Sequence, residues 1–306
     1  MVYCWRRQLC ACHFLTKEFV LKMIKSLETS MLNIKHDIRT LAPLCAQHGI
    51  EAIGAPPVIF EDEKAAAEIA AVMKDNNLKW GLLPMPADFY FWELSDEAFD
   101  AAIKELERRA VIAEKLGIRH AYNHVWSSSP REFDENFEWH VKRVQKVAHT
   151  LTEHGVHYGL EFLGPHEIRT WGKNPFVHSL SGVAAIADAA GGEAGIAFDS
   201  YHWYCSHNGD MGDVLWMTQH IDKLVAFHMN DAVPGRDFSE QKDMERRLPM
   251  ETGIINTADL FARFDLPENT ALCMIEPFQP AGTHFGTLTP EEAVREAAEV
   301  FNRVVK

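Results

Sequence analysis

The chain has 306 residues, of which 47% are apolar and 24% charged, so it can bury a large core and is not a disordered polymer. Lysine and arginine count 30 against 44 for aspartate and glutamate, and the net charge of −14 disfavours nucleic acid and anionic lipid surfaces as partners. No apolar run is long enough to span a membrane, and the six cysteines form no disulfide framework, which favours a reducing, cytoplasmic location.

Residues 1–22 differ in composition from the rest of the chain. They are aromatic, basic and cysteine-rich, and a second methionine, Met23, follows them. Their apolar stretch is broken and no small-residue cleavage site comes after it, so a secretory signal is disfavoured. A metal site built from Cys10, Cys12 and His13 is also disfavoured, because no second pair of ligands lies nearby. We interpret residues 1–22 as an upstream extension or a start-site artefact and assign residues 23–306 to the folded domain.

From about residue 25 onward, short runs of β-forming residues alternate with longer amphipathic segments, which is typical of repeated βα units. The predicted strands cover residues 26–32, 51–54, 79–84, 120–125, 157–162, 195–199, 224–229 and 271–276. The predicted helices cover residues 37–47, 61–76, 95–116, 131–153, 181–190, 210–220, 257–264 and 290–305. This alternation predicts a single-domain (β/α)8 TIM barrel. An open doubly wound sheet is the alternative, but no glycine-rich phosphate loop follows the first strand.

Four predicted strands in the second half of the chain end in a side chain that can bind a metal. These residues are Glu161, Asp199, His228 and Glu276. Because a barrel active site forms at the C-terminal ends of the strands, we expect the four to converge. Three carboxylates and one imidazole suit one divalent ion, with manganese preferred and magnesium, cobalt or zinc as alternatives. Taken singly, each residue is equally well explained as a polar cap on its strand.

Further polar and aromatic residues follow the strands on the same face of the predicted barrel. Two long connections, residues 163–180 and 230–256, also lie there, and long loops in a compact domain are usually functional. The residues predicted to contact a substrate are His202, Glu167, His124, Arg236 and Trp126, with Arg246 as a second arginine to consider. Alternatively, Glu167 and the arginines are simply exposed to solvent. His124 is equally well explained as a buried histidine whose ring nitrogens are hydrogen-bonded, and Trp126 as part of the core packing.

At these residues the chain resembles the xylose isomerase-like TIM barrel superfamily, in the branch that includes ketose 3-epimerases and inosose dehydratase. The resemblance runs from about residue 25 to the C-terminus and rests on Glu161, Asp199-Ser-Tyr-His202, His228-Met-Asn-Asp231 and Glu276-Pro. It implies that Glu161, Asp199, His228 and Glu276 bind the metal and that the two glutamates also exchange protons with the substrate.

The resemblance also implies roles for the loops and for the assembly. Glu167 and His202 match positions that contact substrate oxygens, and a homo-oligomer acting on a small carbohydrate is expected. The arginine that the epimerases carry six residues after the metal histidine is replaced by Pro234, so Arg236 is the expected substitute. Endonuclease IV belongs to the same superfamily, but its additional histidines are missing from this sequence.

Three functions are compatible with these residues. The leading hypothesis is a metal-dependent isomerase or epimerase that acts on a keto sugar or keto-polyol by proton transfer through an enediolate. The alternative is a dehydratase or carbon-linked glycoside lyase that eliminates from an inosose or a 3-keto sugar. A non-catalytic sugar-binding barrel is the third hypothesis, and the four intact metal ligands argue against it.

Overall fold

The computed structural model describes residues 23–265 and 270–305, so the interpretation of residues 1–22 lies outside the described residues. The strands in this part of the chain are β1 Ile24–Leu27, β2 Ala52–Ile53, β3 Lys79–Trp80, β4 His120–Val125, β5 Ser128–Ser129, β6 His157–Phe162, β7 Asn174–Pro175, β8 Ala194–Asp199, β9 Leu224–Met229 and β10 Leu272–Ile275. The helices are α1 Ile38–Gln47, α2 Glu63–Asp75, α3 Asp96–Leu116, α4 Phe133–Thr152, α5 Leu180–Ala189, α6 Ser200–His207, α7 Met211–Gln219, α8 Thr257–Phe264, α9 Ala281–Phe285 and α10 Pro290–Val304.

Eight of the strands form one parallel sheet in the order β3, β2, β1, β10, β9, β8, β6, β4. The sheet closes between its two outer strands, where Leu82, just after β3, bridges His120 in β4. The Leu83 N–H also donates to the His120 carbonyl at 2.8 Å. The predicted single-domain TIM barrel is therefore confirmed. The remaining strands, β5 and β7, form a small antiparallel pair after β4 and β6.

The predicted elements agree best with the structure in the second half of the chain. Strands β4, β6 and β9 and helix α8 have the predicted bounds residue for residue. The first three strands are shorter than predicted and span only two to four residues each. Helices α6 and α9 were not predicted, because both lie in segments that we read as connections after a strand.

Helix α3 illustrates how local sequence defines the helical layer. The Ser95 hydroxyl accepts a hydrogen bond from the Ala98 N–H at 3.2 Å and caps the N-terminus, and the helix ends at Gly117, which has a φ of +79°. Glycine adopts this left-handed conformation without steric cost. The buried side chains recur every three or four residues, so one face of the helix packs on the sheet. They are Phe99, Ile103, Leu106, Ala110 and Ala113.

The core has two parts, as expected for a barrel. A small cluster packs together from the barrel strands and the residues that follow them: Ile24, Met31, Ala52, Leu82, Ala197, Ala226, Leu272 and Met274. A much larger cluster lies between the helices and the outer face of the sheet. Within the described residues, no helix combines the length and apolar content that crossing a lipid bilayer requires.

Candidate metal centre and adjoining cavity

Four side chains meet at the C-terminal ends of the barrel strands. Glu161 is the second-last residue of β6, Asp199 is the last of β8, His228 is the second-last of β9, and Glu276 directly follows β10. The strand register pairs Asp199 with His228. Each of the four side chains is buried and offers one ligand atom within 4.8 Å of the other three. We call this group the cage.

Several potential metal-ligand atoms of the cage lack the hydrogen-bond partners that buried polar atoms normally have. Both carboxylate oxygens of Glu161 and both ring nitrogens of His228 are buried without a hydrogen bond. His228 Nδ1 lies 2.8 Å from Glu161 Oε1 and 3.2 Å from Glu276 Oε2, but these close pairs are not aligned as hydrogen bonds. Unpaired buried atoms cost free energy unless another group satisfies them. Three carboxylates and one imidazole aimed at a shared point fit a divalent metal ion.

The charges of the cage are strongly interdependent. Burial alone raises the pKa of the Glu161 carboxyl, but His228 and His124 outweigh it and hold that pKa well below its usual value. Burial alone lowers the pKa of His228, but Glu161 and Glu276 raise it well above its usual value. Opposite charges at such short distances favour the ionised form of both partners. The ionised forms of Glu161 and His228 therefore stabilise each other.

Arg246 forms ion pairs with two members of the cage. Its side chain is 1% exposed, and its Nη1 donates to Asp199 Oδ2 at 2.8 Å and to Glu276 Oε2 at 3.0 Å. Its Nη2 donates to Asp243 Oδ1 at 2.9 Å. The guanidinium also lies over the rings of Tyr201 and Phe278, at 4.9 and 4.6 Å from their centres. A planar cation that is always charged suits such a fixed bridge between carboxylates.

Asp199 links the cage to helix α6. Its Oδ1 accepts hydrogen bonds from the backbone N–H groups of Tyr201 at 2.6 Å and His202 at 3.0 Å, which caps the N-terminus of the helix. The Asn230 side-chain amide donates to both oxygens of the same carboxylate at 3.1 Å. The orientation of this carboxylate is therefore fixed by the start of α6 and by the residue after β9.

His202 and Glu167 occupy different environments. His202 is buried, and its Nε2 lies 3.3 Å from Arg246 Nη2 and 4.0 Å from Asp199 Oδ2, so it borders the cage. Glu167 is half-buried and holds the long loop after β9. Its Oε1 accepts from the Asp243 N–H at 2.8 Å, and its Oε2 lies 3.1 Å from Lys242 Nζ. In this conformation Glu167 joins two loops, and its predicted substrate contact stays a prediction.

His124 and Trp126 lie at the end of β4, beside the cage. The register pairs His124 with Glu161, and His124 Nε2 is 3.0 Å from Glu161 Oε2. Burial lowers the pKa of His124, but Glu161 outweighs it and raises that pKa to about 9. The Trp126 Nε1 donates to Asp88 Oδ2 at 2.7 Å, and its ring lies 5.6 Å from that of Trp171. Trp171 is 53% exposed and was not singled out from the sequence.

Comparisons with known proteins agree with this architecture. The family model described as xylose isomerase-like TIM barrel matches residues 31–304. The chain belongs to this family. The xylose isomerase-like fold is shared with a xylose isomerase domain protein from Alicyclobacillus acidocaldarius, which is 24% identical, with a TM-score of 0.74 and coverage of 93% of this chain and 98% of that one.

Two further solved structures are similar in fold. The IOLI protein, solved with a zinc atom, is 16% identical, with a TM-score of 0.72 and coverage of 92% of this chain and 98% of that one. D-Psicose 3-epimerase from Clostridium cellulolyticum H10, solved with D-tagatose, is 14% identical, with a TM-score of 0.65 and the same coverage. At these identities the likeness establishes the fold alone. No curated protein gives a significant match.

Arg236, the residue expected to replace the arginine of the epimerase branch of this family, makes a different contact. Its Nη2 lies 2.6 Å from Glu245 Oε2, and both side chains are one-third or more exposed. Among the described residues, it donates no hydrogen bond to the cage. Arg246, on the same loop, contacts the cage instead. The loop conformation depends on Asp231, whose carboxylate accepts from the N–H groups of Ala232, Thr252, Gly253 and Ile255.

Sequence reasoning did not single out two residues next to the cage. Tyr122, two residues before His124 on β4, packs its ring edge-on against His228 with the centres 4.7 Å apart. Glu28 directly follows β1 and is 5% exposed. The period of two along a strand could have identified Tyr122 from His124. Both residues line a cavity of about 360 Å³ that also reaches His124.

A larger cavity of about 560 Å³ lies at the opposite end of the barrel, near the start of β4 and β6. It is lined by His120, His157 and charged residues of the connecting turns. The described residues place no metal-binding cluster there, since the one such cluster among them is the cage. Barrel active sites form at the C-terminal ends of the strands. The smaller cavity, which adjoins the cage, is therefore the candidate substrate site.

Proposed function

We propose that the protein is a divalent-metal-dependent isomerase or epimerase that acts on a keto sugar or keto-polyol. The observation that carries this proposal is the buried cage of three carboxylates and one imidazole. In this cage, the carboxylate oxygens of Glu161 and the ring nitrogens of His228 have no hydrogen-bond partner. Family membership supports a small sugar as the substrate. A divalent ion held by Glu161, Asp199, His228 and Glu276 would polarise the carbonyl of the sugar and make the neighbouring C–H group more acidic.

In the proposed mechanism, the two glutamates carry the proton. One of Glu161 and Glu276 removes it from the carbon next to the carbonyl, and the other returns it on the opposite face, which inverts that carbon. Return to the neighbouring carbon instead would give an isomerase. Their nearness to His228, at 2.8 and 3.2 Å, and burial of both carboxyls support a role as bases whose protonation is controlled by their neighbours.

The surrounding residues would position the sugar and limit access of water. His124 and Tyr122 form the wall between the cage and the cavity, so they are placed to contact the oxygens of a bound sugar. The rings of Trp126 and Trp171 provide an apolar surface beside His124. Arg246 holds the oxygens of Asp199 and Glu276 in fixed positions. Manganese remains the preferred ion in this proposal.

The decisive experiment measures hydrogen exchange on the substrate. Manganese-loaded protein is incubated in heavy water with a panel of ketopentoses, ketohexoses and inososes, and deuterium incorporation is followed by NMR. We expect exchange at a carbon next to the carbonyl of at least one ketose, and loss of that exchange in Glu161→Gln and Glu276→Gln. Glu107→Gln, an exposed residue of α3, is the matched control and should behave as wild type.

The outcomes separate the three hypotheses. Exchange accompanied by a new conjugated ultraviolet band would identify the elimination reaction of a dehydratase or lyase. If no ketose exchanges while the protein retains its metal and binds sugars, the protein is a binding barrel and the proposed function is wrong.

A further inference from the structure

The cavity beside the cage ends at Glu28, a buried carboxyl that the proposed mechanism does not use. Glu28 is the first residue after β1 and is 5% exposed. It is not part of the cage, whose members come from β6 to β10. A buried carboxyl without a cationic partner costs free energy, so its presence in a cavity indicates a function.

Two glycines create the space that Glu28 occupies. Gly54 follows β2 and Gly81 follows β3, and a Cβ atom added to either would collide with the Glu28 carboxylate. At Gly81 the added atom would also meet the Ser26 hydroxyl. Any larger residue at these two positions would displace the carboxyl. The ends of three neighbouring strands are therefore built around this one group.

The hydrogen bonds of Glu28 leave one oxygen available. Its Oε1 accepts from the Ser26 hydroxyl at 2.6 Å and from the Leu82 N–H at 3.1 Å. Its Oε2 accepts no hydrogen bond from the described residues. Burial raises the pKa of Glu28, although Ser26, Leu82 and the charge of His228 oppose this effect. The carboxyl is thus held firmly through one oxygen, while the other remains for a group inside the cavity.

The cavity lined by Glu28 also reaches His124, which pairs with Glu161 of the cage, and the residues of its lining indicate which ligands it can bind. Its volume of about 360 Å³ lies in the range of small-molecule sites, roughly 300–1,000 Å³. His124, which lies 3.0 Å from Glu161, is part of the lining, as are Thr29 and Ser30, which follow Glu28. Of the residues described, the lining includes no lysine or arginine. The lining histidine, His124, has a raised pKa but already pairs with Glu161, and no arginine or lysine of the described lining remains to bind a phosphate group.

We propose that Glu28 is a specificity-determining residue that binds a hydroxyl group of an uncharged polyol in the cavity beside the cage. The same carboxyl disfavours phosphorylated sugars, because a phosphate dianion would approach a buried carboxyl in a cavity whose described lining has no lysine or arginine. This inference rests on the proposed function for the position of the reacting end of the sugar. It narrows the substrate to a sugar without phosphate.

The test uses polyols that cannot react, so that binding is measured apart from turnover. Calorimetric titrations of the manganese-loaded protein would compare D-sorbitol, D-mannitol and myo-inositol with D-sorbitol 6-phosphate, D-mannitol 1-phosphate and myo-inositol 1-phosphate. We expect at least one neutral polyol to bind and its phosphate to bind at least about tenfold more weakly. Equal or tighter binding of the phosphates, or no binding by any polyol, would overturn the inference without the need for a variant.

Glu28→Gln then tests the residue itself, because glutamine has nearly the same shape and keeps one hydrogen-bond acceptor. We expect it to weaken binding of the neutral polyol about tenfold or more and to reduce the discrimination against the phosphate. Glu63→Gln, at the exposed start of α2, is the matched control and should change neither. Unchanged affinities in Glu28→Gln, with a circular dichroism spectrum like that of wild type, would refute the role of Glu28.

Failure of this inference and failure of the proposed function have different signatures. If ketoses exchange hydrogen but Glu28→Gln leaves both KM and kcat unchanged, the proposed function stands and the inference fails. A rise in KM with little change in kcat supports the inference. If no ketose exchanges but neutral polyols bind in a way that depends on Glu28, the inference stands and the proposed catalytic function fails.

Discussion

Replacing Arg246 with methionine would reveal how far the cage depends on a permanent cation. Methionine preserves much of the volume between the rings of Tyr201 and Phe278 but leaves Asp199 and Glu276 without their cationic partner. Removing one member of a buried ion pair typically costs about 3–5 kcal/mol, and Arg246 is 1% exposed. We therefore expect the metal-free variant to lose about 3 kcal/mol in its free energy of unfolding.

The loss should be smaller when the cage is loaded with manganese. A divalent ion would neutralise the same carboxylates, so it should stabilise the variant more than it stabilises wild type. Urea unfolding of both proteins, with and without manganese, measures this difference. Arg236→Met is the matched control on the same loop, and its exposed pair with Glu245 should contribute less than about 1 kcal/mol. An equal loss with and without metal would refute the reasoning, as would similar losses in the two variants.

Three further predictions address the cage, the core and a helix end. His228→Ala should lower the manganese content of the protein and abolish hydrogen exchange on the ketose substrate, while the circular dichroism spectrum stays that of a folded barrel. Full manganese occupancy together with wild-type exchange on the substrate would contradict the assignment of the cage. Burial lowers the pKa of His140 to about 3 from its ordinary value of 6.5, so the free energy of unfolding should fall as the pH drops below 6.5. Between about pH 7.5 and pH 5, wild type should lose about 2 kcal/mol more than His140→Phe in urea unfolding, and parallel pH profiles would exclude this effect. Thr289→Ala removes the capping box of α10 and should cost about 1 kcal/mol at any pH in the same assay, whereas an unchanged midpoint would show that the cap is dispensable.

The fold was predictable because a barrel repeats one local pattern. Each βα unit shows an apolar run, an amphipathic helix and often a glycine at the helix end. Errors in the bounds of single strands or helices therefore do not change the predicted number of eight βα units. The rule that active residues follow the strands also selected Glu161, Asp199, His228 and Glu276, and these four lie together. Their roles as metal ligands and bases remain predictions.

The sequence analysis missed residues whose position depends on where a strand ends or a helix begins, which hydrophobic periodicity does not define to the residue. Glu28 was placed inside a strand predicted to span residues 26–32, whereas β1 ends at Leu27, so the strand-end rule was not applied to it. The Asp199-Ser-Tyr-His202 segment was read as a loop, although an aspartate after an apolar strand can also begin a helix, as it does for α6.

Arg246 follows His228 by 18 residues, in a long connection that, over its described residues 230–256, contains one 3-10 turn at Phe238–Glu240 and isolated β-bridges but no α-helix or strand of the main sheet before α8. Asp231 fixes the path of that connection through hydrogen bonds to backbone groups more than 20 residues away, such as that of Ile255. Contacts of this kind arise only from the complete fold, so no local pattern favoured Arg246 over Arg236.

The strand pairing differs between the two halves of the barrel. On the cage side, β4 pairs with β6 over six residues, and β9 pairs with β8 and β10 over four each. On the cavity side, β1 with β2 and β2 with β3 pair over two residues each, and β3 reaches β4 through the bridge between Leu82 and His120. The four cage residues stand on or after the strands with the longer pairing, whereas Gly54 and Gly81 follow the briefly paired β2 and β3. We therefore expect substitutions after β2 and β3 to reshape the cavity with little effect on the cage. Under the proposed function, such a division would let an evolving lineage change its substrate while it keeps one reaction.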